Sequence, residues 1–209
     1  LDYILPKIYP ITDTRLSGLS HTAQVEKLIA GGATLIQLRE KHAAPREFYK
    51  DAEQALAIAR SHGAKIIIND RVDIALALGA DGVHLGQDDL PPHHARKILG
   101  PQAIIGFSTH TIEQAIEAAY LPIDYIALGP IFTTKTKENP DKTVGLDGIK
   151  NVREAIGGFP LVAIGGINSG NVSQVIQAGA GSAAVISVLY ASPEDVAGRM
   201  AVLLTIAGQ

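Results

Sequence analysis

The 209-residue sequence contains no cysteine and no tryptophan, and aromatic residues make up only 5% of it. Without cysteine there are no disulfides, no thiolate nucleophile and no Cys-ligated zinc or iron–sulfur centre. So few aromatics argue against a surface on which nucleic-acid bases stack. An excess of positive charge is also missing: 18 Lys and Arg stand against 21 Asp and Glu, a net charge of -3. No global field therefore draws the chain to nucleic acid or to an anionic membrane. Any anionic ligand has to be held by a local cluster of cations. No apolar run approaches the roughly 20 residues that a spanning helix needs. The segment Leu1–Ile11 is short and broken by Asp2, Pro6 and Lys7, unlike a signal peptide. A cytoplasmic location is the expectation.

What is present is a globular composition, with 46% hydrophobic and 19% charged residues. It fits one domain spanning 1–209 with a sizeable core. Short apolar, β-branched runs alternate with longer segments of helical period, which predicts parallel strands joined by helices. The strand candidates are Ile8–Thr12, Leu35–Leu38, Lys65–Ile68, Gly82–His84, Ala103–Phe107, Tyr125–Leu128, Leu161–Ile164 and Ala183–Ile186. The intervening helices are expected over Thr22–Ala30, Pro45–Ser61, Ile74–Gly79, Pro92–Leu99, Ile112–Ala119, Ile149–Ile156, Ser169–Ala178 and Pro193–Ala207. Repeated strand–helix units point to a (β/α)₈ TIM barrel with its site at the C-terminal strand ends. An open doubly wound sheet is the alternative. It would gather polar residues at one crevice, whereas here they follow strands along the whole chain.

Polar residues that interrupt the strands are the candidates for chemistry. After the second strand, Gln37-Leu38-Arg39-Glu40-Lys41 places Gln37, Arg39 and Lys41 on one face if the strand alternation continues. An amide and two cations suit a diphosphate; a salt-bridged rim with Glu40 fits the same residues. Asn69-Asp70-Arg71 and Gly86-Gln87-Asp88-Asp89 follow the next two strands and bring Asp70 and Asp89 to adjacent strand ends. Magnesium is commonly held by one or two carboxylates with substrate phosphate oxygens, although aspartates also cap helices and form turns. Asp73, Asp81 and the His93-His94 pair are expected to be structural or surface residues. Ser108 offers a hydroxyl at the mouth, and His110 is an acid or base without an evident partner. The long segment Gly129–Gly148 carries Thr133-Thr134-Lys135-Thr136-Lys137, suited to phosphate contacts or simply to solvent. Gly165-Gly166 permits close backbone approach, and Ile186-Ser187 adds an N–H and a hydroxyl. The loops after the last two barrel strands often bind phosphate.

Together, Ile11–Asp13, Gln37–Lys41, Ile68–Arg71, Asp81–Asp89, Ile105–His110, Gly129–Lys137 and Ala163–Ile167 resemble the thiamine-phosphate synthase family. They run from the first strand to the last in order and at family-like spacing. The resemblance implies a transferase that joins an aminopyrimidine diphosphate to a thiazole phosphate, or its carboxylated form, and releases pyrophosphate. It assigns Gln37, Leu38, Arg39, Glu40, Lys41, Asn69, Ser108 and Lys137 to the pyrimidine diphosphate, with Arg39, Lys41 and Lys137 as catalytic cations. It gives Asp70 and Asp89 to one Mg²⁺, and Thr134, Lys135, Thr136, Gly166, Ile186 and Ser187 to the thiazole phosphate. Small molecules are the expected partners, with a homodimer possible in the family and neither nucleic acid nor membrane. The nearest rival is the thiazole tautomerase branch, which resembles the synthases but lacks the paired carboxylates; His110 alone leans that way. A non-catalytic phosphate-binding barrel is a further alternative, with no need for a metal pair.

Overall fold

A computed structural model describes residues 5–134 and 142–208. Its strands are β1 (Ile8–Thr12), β2 (Leu35–Leu38), β3 (Lys65–Asn69), β4 (Gly82–Leu85), β5 (Ile104–Thr109), β6 (Tyr125–Leu128), β7 (Leu161–Ile164) and β8 (Ser182–Val185). They pair in sequence order, all parallel, and close through Ile8↔Ala183 into a barrel. The helices are α1 (Thr14–Ser17), α2 (His21–Ala30), α3 (Pro45–Ser61), α4 (Val72–Leu78), α5 (Pro92–Leu99), α6 (Ile112–Ala118), α7 (Gly145–Ile156), α8 (Val172–Gln177) and α9 (Val196–Ala207). A 3₁₀ turn, Pro193–Asp195, precedes the last. Among the described residues no helix is long and apolar enough to cross a membrane.

The strands are buried on both faces because alternate side chains enter two different cores. Ile36, Leu38, Ile66, Ile68, Val83, Ile105 and Ile126 point outward beneath the helices. Tyr9, Ile11, Leu35, Ile67, Ile104, Tyr125 and Val162 fill the barrel. This is why the strands read as continuous apolar runs rather than as polar–apolar alternation. Helix α3 has proline at its first turn and buries Phe48, Ala52, Ala55, Leu56 and Ala59, the stripe expected at helical spacing. Its Asp51 also accepts the His21 and Thr22 backbone N–H groups at 2.6 and 3.0 Å, satisfying free donors at the start of α2.

The differences from the expected elements lie at their ends. β3 includes Asn69 and β5 runs on to Thr109, so Asn69 and Ser108 stand in strands, not after them. β8 starts at Ser182 and stops at Val185, leaving Ile186 beyond it. Helix α7 begins at Gly145, four residues early. The single turn α1 was not foreseen: it is too short to show periodicity. It forms because the Asp13 carboxylate accepts the Arg15 and Leu16 N–H groups and Gly18 closes it in the left-handed region.

Candidate active site at the barrel mouth

Strand alternation does not carry Gln37, Arg39 and Lys41 onto a common face. β2 ends at Leu38, and the chain then turns, so the two cations part. Gln37 is buried inside the barrel and donates to the Tyr9 hydroxyl at 3.2 Å. Arg39 leans toward β1 and pairs with Asp13 at 2.8 Å. Lys41 leans the other way and pairs with Asp70. Leu38 is fully buried in the outer core, and its side chain does not face the mouth.

Glu40 serves the loop itself. Its carboxylate accepts the His42 and Ala43 N–H groups at 2.7 and 3.0 Å and the Thr14 hydroxyl at 3.0 Å. Burial alone would raise its pKa, but these donors prevail and hold it at about 2. The clamp ties the segment carrying Arg39 and Lys41 to α1. Beneath it the His21 ring accepts or donates at Thr12 Oγ1 over 2.7 Å. Burial lowers the pKa of His21, against the raising influence of Asp51 and Glu40.

Asp70 and Asp89 do meet. Asp70 follows β3 with φ 61°, the one described non-glycine residue at positive φ. Such a conformation disfavours most side chains and often marks a functional site. Asp89 comes from the turn after β4, where it accepts the Gly86 N–H at 2.7 Å. It does not cap α5, whose N-cap is Pro91. Burial raises the Asp89 pKa; the Gly86 N–H pulls the other way, and the neighbouring Asp70 carboxyl adds to the rise. Two acids thus face each other, with the Lys41 ammonium beside them. Asn69, buried at the end of β3, adjoins them. Asp73 pairs with Arg71, and Asp81 accepts the Ile66 N–H at 2.9 Å, so neither belongs to this group.

Below the acids the barrel interior is polar. His84 lies between Tyr125 Oη, 3.0 Å from Nδ1, and Ser108 Oγ, 2.9 Å from Nε2. Burial dominates the pKa of its ring and lowers it to about 4. Tyr9, Tyr125, His84 and Asp13 were not singled out from sequence. Three of them sit inside apolar strands and read as core; a stricter period-two reading would have turned them inward beside Gln37 and Ser108. His110, in contrast, has work outside any catalytic role: its backbone N–H donates to Gln114 and its Nδ1 lies 2.6 Å from the Gly129 carbonyl.

Across the mouth, Gly166 (φ 66°) lies so close to the β6 loop that a Cβ would fall 2.7 Å from Phe132 Cβ and 2.8 Å from the Thr133 carbonyl. Only glycine suits both demands. The register Ile164↔Ala184 sets the loops bearing Gly166 and Ile186 side by side. Thr134 and Ile186 are half-buried and Ser187 is exposed. Lys135, Thr136 and Lys137 lie outside the described residues.

The chain that forms this mouth is similar to known proteins. The family model for thiamine monophosphate synthase matches residues 8–189. A thiamine-phosphate synthase of Clostridium novyi is 44% identical over 96% of this chain and 98% of its own. One from Chloroflexus aurantiacus is 44% identical over 90% of this chain and 87% of its own. The solved thiamine phosphate pyrophosphorylase of Pyrococcus furiosus superposes with a TM-score of 0.87 at 38% identity, covering 97% of this chain and 95% of that one. Shared over nearly its whole length in both sequence and barrel, these likenesses establish that the chain belongs to the thiamine monophosphate synthase family of transferases.

Proposed function

We propose that this barrel joins an aminopyrimidine diphosphate to a thiazole phosphate, giving thiamine phosphate and pyrophosphate, with the diphosphate held at the Asp70–Asp89 side of the mouth. The observation that carries the reading is the meeting of those two acids beside Lys41. Facing carboxylates repel, and a cation between them removes the cost. Their oxygens, one residue held by its own backbone turn and the other by Gly86, suit a hard divalent ion such as Mg²⁺. When bound, Mg²⁺ would supply charge neutralisation on the diphosphate oxygens.

The rest of the chemistry falls to the chain. Arg39 and Lys41 flank the departing pyrophosphate, and Lys137 joins them in this reading. The C–O bond to the pyrimidine methylene breaks with both electrons on pyrophosphate. The positive charge left on carbon is spread into the ring by its amino group, and the thiazole nitrogen then forms the new C–N bond. Fixed cations matched to the leaving charge favour that cleavage without a proton donor. Gln37, Asn69 and Ser108 hold the pyrimidine diphosphate. The backbone around Leu38 and Glu40 shapes its rim, with the Glu40 side chain acting as the clamp. Thr134, Lys135, Thr136, Gly166, Ile186 and Ser187 hold the thiazole phosphate, close and aligned.

The deciding experiment mixes both substrates with the protein and follows pyrophosphate and thiamine phosphate, with and without Mg²⁺. Equal, Mg²⁺-dependent formation of the two products is expected. Isomerisation of a thiazole carboxylate phosphate without pyrophosphate release would overturn the reading.

A further inference from the structure

Asp13 joins β1 to α1, and each of its polar atoms is engaged. Its N–H donates to Gln24 Oε1 at 3.0 Å, and its carbonyl accepts the Ser17 N–H at 3.1 Å and the Ser17 hydroxyl at 2.7 Å. Its carboxylate is divided. Oδ1 accepts the Arg15 and Leu16 N–H groups at 3.1 and 3.0 Å, which caps α1. Oδ2 accepts an Nη1–H of Arg39 at 2.8 Å. The residue before it, Thr12, takes the Arg39 backbone N–H on Oγ1 at 3.3 Å. Two consecutive residues at the end of β1 thus hold Arg39 by its main chain and by its side chain. We propose that Asp13 is a positioning residue, which fixes itself on α1 through one carboxylate oxygen and with the other holds the Arg39 guanidinium ready for the departing pyrophosphate.

The sense of the pair is fixed by its own groups. A carboxylate oxygen only accepts and a guanidinium only donates, so no rotating hydroxyl or ring tautomer decides it. Asp13 is 8% exposed, and the donors that anchor it are backbone groups of α1. The oxygen that faces Arg39 therefore has a set place. Arg39 is more open. Its side chain is 22% exposed, and among the described residues its guanidinium has no partner besides Asp13. One of its five N–H donors is engaged, and the rest remain for a ligand at the mouth. Lys41, the other cation of this segment, leans instead on Asp70. Of the two, only Arg39 is tied to an acid outside the facing pair.

Three roles for Asp13 differ in what its loss would do. A negative charge beside Arg39 weakens the field offered to an anion. Were that its whole effect, removing the acid would speed the cleavage. Removing a positioning acid does the opposite. The fork must then find its place at each encounter, and the geometry matched to the leaving charge is no longer set in advance. A helix cap and nothing more predicts no change in rate when another capping residue takes its place. Asparagine and serine cap helices about as well as aspartate. In Asp13→Asn the single amide oxygen is needed at α1, which turns the NH₂ on the guanidinium. In Asp13→Ser the hydroxyl serves α1 alone.

The first measurement is side-chain ¹⁵N NMR of the arginines on the full chain without ligand, with Arg39 assigned by its loss in Arg39→Gln. Its two Nη groups should give separate signals, held by slow rotation about Cζ–Nη, and should average in Asp13→Asn and Asp13→Ser. Averaging already in the wild type, or separate signals that survive both substitutions, would overturn the proposal. The second measurement is steady-state turnover, which rests on the proposed reaction. Both variants should keep urea midpoints near that of the wild type, because the cap survives. Each should lose about tenfold in kcat, part of what an arginine's rotamer freedom is worth. In the Arg39→Gln background, Asp13→Ser should lower kcat no further. Unchanged or faster turnover in both variants, or the same tenfold loss without Arg39, would mean that Asp13 does not act through Arg39. Failure of the proposed reaction has a separate signature: product is absent while the Arg39 signals stay apart in the wild type.

Discussion

The two ends of the barrel each hold aspartates and basic residues, but they use them in opposite ways. At the N-terminal end, Asp81 accepts the Ile66 N–H, and Asp124 accepts the Ile105 N–H and Arg96, each at 2.7 Å. Arg96 also donates to the Gly100, Ala103 and Pro122 carbonyls. Arg153 does the same at Gly157, Phe159 and Gly179. Acids and cations there bind the ends of strands and helices. At the C-terminal end, Asp70 adopts a left-handed backbone and faces Asp89 beside Lys41. One end gathers charges to satisfy the backbone, and the other holds like charges together at a cost. Barrels commonly divide stability and catalysis in this way.

The sharpest way to break the comparison is to remove an acid from each end. Asp70→Ala or Asp89→Ala should lower turnover by about 100-fold or more, the scale of losing a preorganised electrostatic group, and weaken pyrimidine diphosphate binding. Each should reduce resistance to urea less than loss of a base aspartate does, because relief of the like-charge contact offsets the lost Lys41 pair of Asp70 and the lost Gly86 N–H contact of Asp89. Asp124→Ala should do the reverse. It strands the Ile105 N–H, so the loss should be about 1–3 kcal/mol of stability with kcat unchanged. Steady-state kinetics and urea unfolding on the three variants decide the matter. Wild-type turnover in the mouth variants, or impaired turnover in Asp124→Ala at equal folding, would dissolve the distinction.

The barrel was legible because its strands are short β-branched runs separated by helices of clear period, and two-sided burial leaves no polar alternation to confuse them. The carboxylates were legible as well, since Asp70 and Asp89 each follow a strand and neighbouring strands had to place them together. The basic rim was harder. Extending β2 alternation to Lys41 put Arg39 and Lys41 on one face, whereas the strand stops at Leu38. Nothing local shows where a strand ends when its stop depends on Glu40 catching the His42 and Ala43 N–H groups and the Thr14 hydroxyl. The polar groups inside the barrel were hidden for another reason. Tyr9, His84 and Tyr125 lie in runs of buried residues, where a tyrosine reads as packing until its strand neighbours reveal a partner for the hydroxyl.

Glu40 gives the comparison its mildest and most discriminating test, because it is an acid at the mouth that behaves like those at the base. Its side chain is 6% exposed and its donors hold the pKa at about 2, below the ordinary 4.5. A carboxyl whose pKa falls on folding stabilises fully above the unfolded value, and that contribution disappears as pH drops through the folded one. Wild-type protein should therefore exceed Glu40→Gln in stability by a constant margin near neutrality. The margin should shrink between about pH 4.5 and about 2, where other carboxyls titrate alike in both proteins and cancel. Urea unfolding at stepped pH measures it. A margin that stays level, or widens on acidification, would mean that Glu40 does not clamp the loop. At pH 7, where the wild-type clamp is formed, Glu40→Gln should also loosen the seating of Arg39 and Lys41 and lower kcat less than the loss of Asp70 or Asp89, since Glu40 acts on the reacting groups only through the loop it holds.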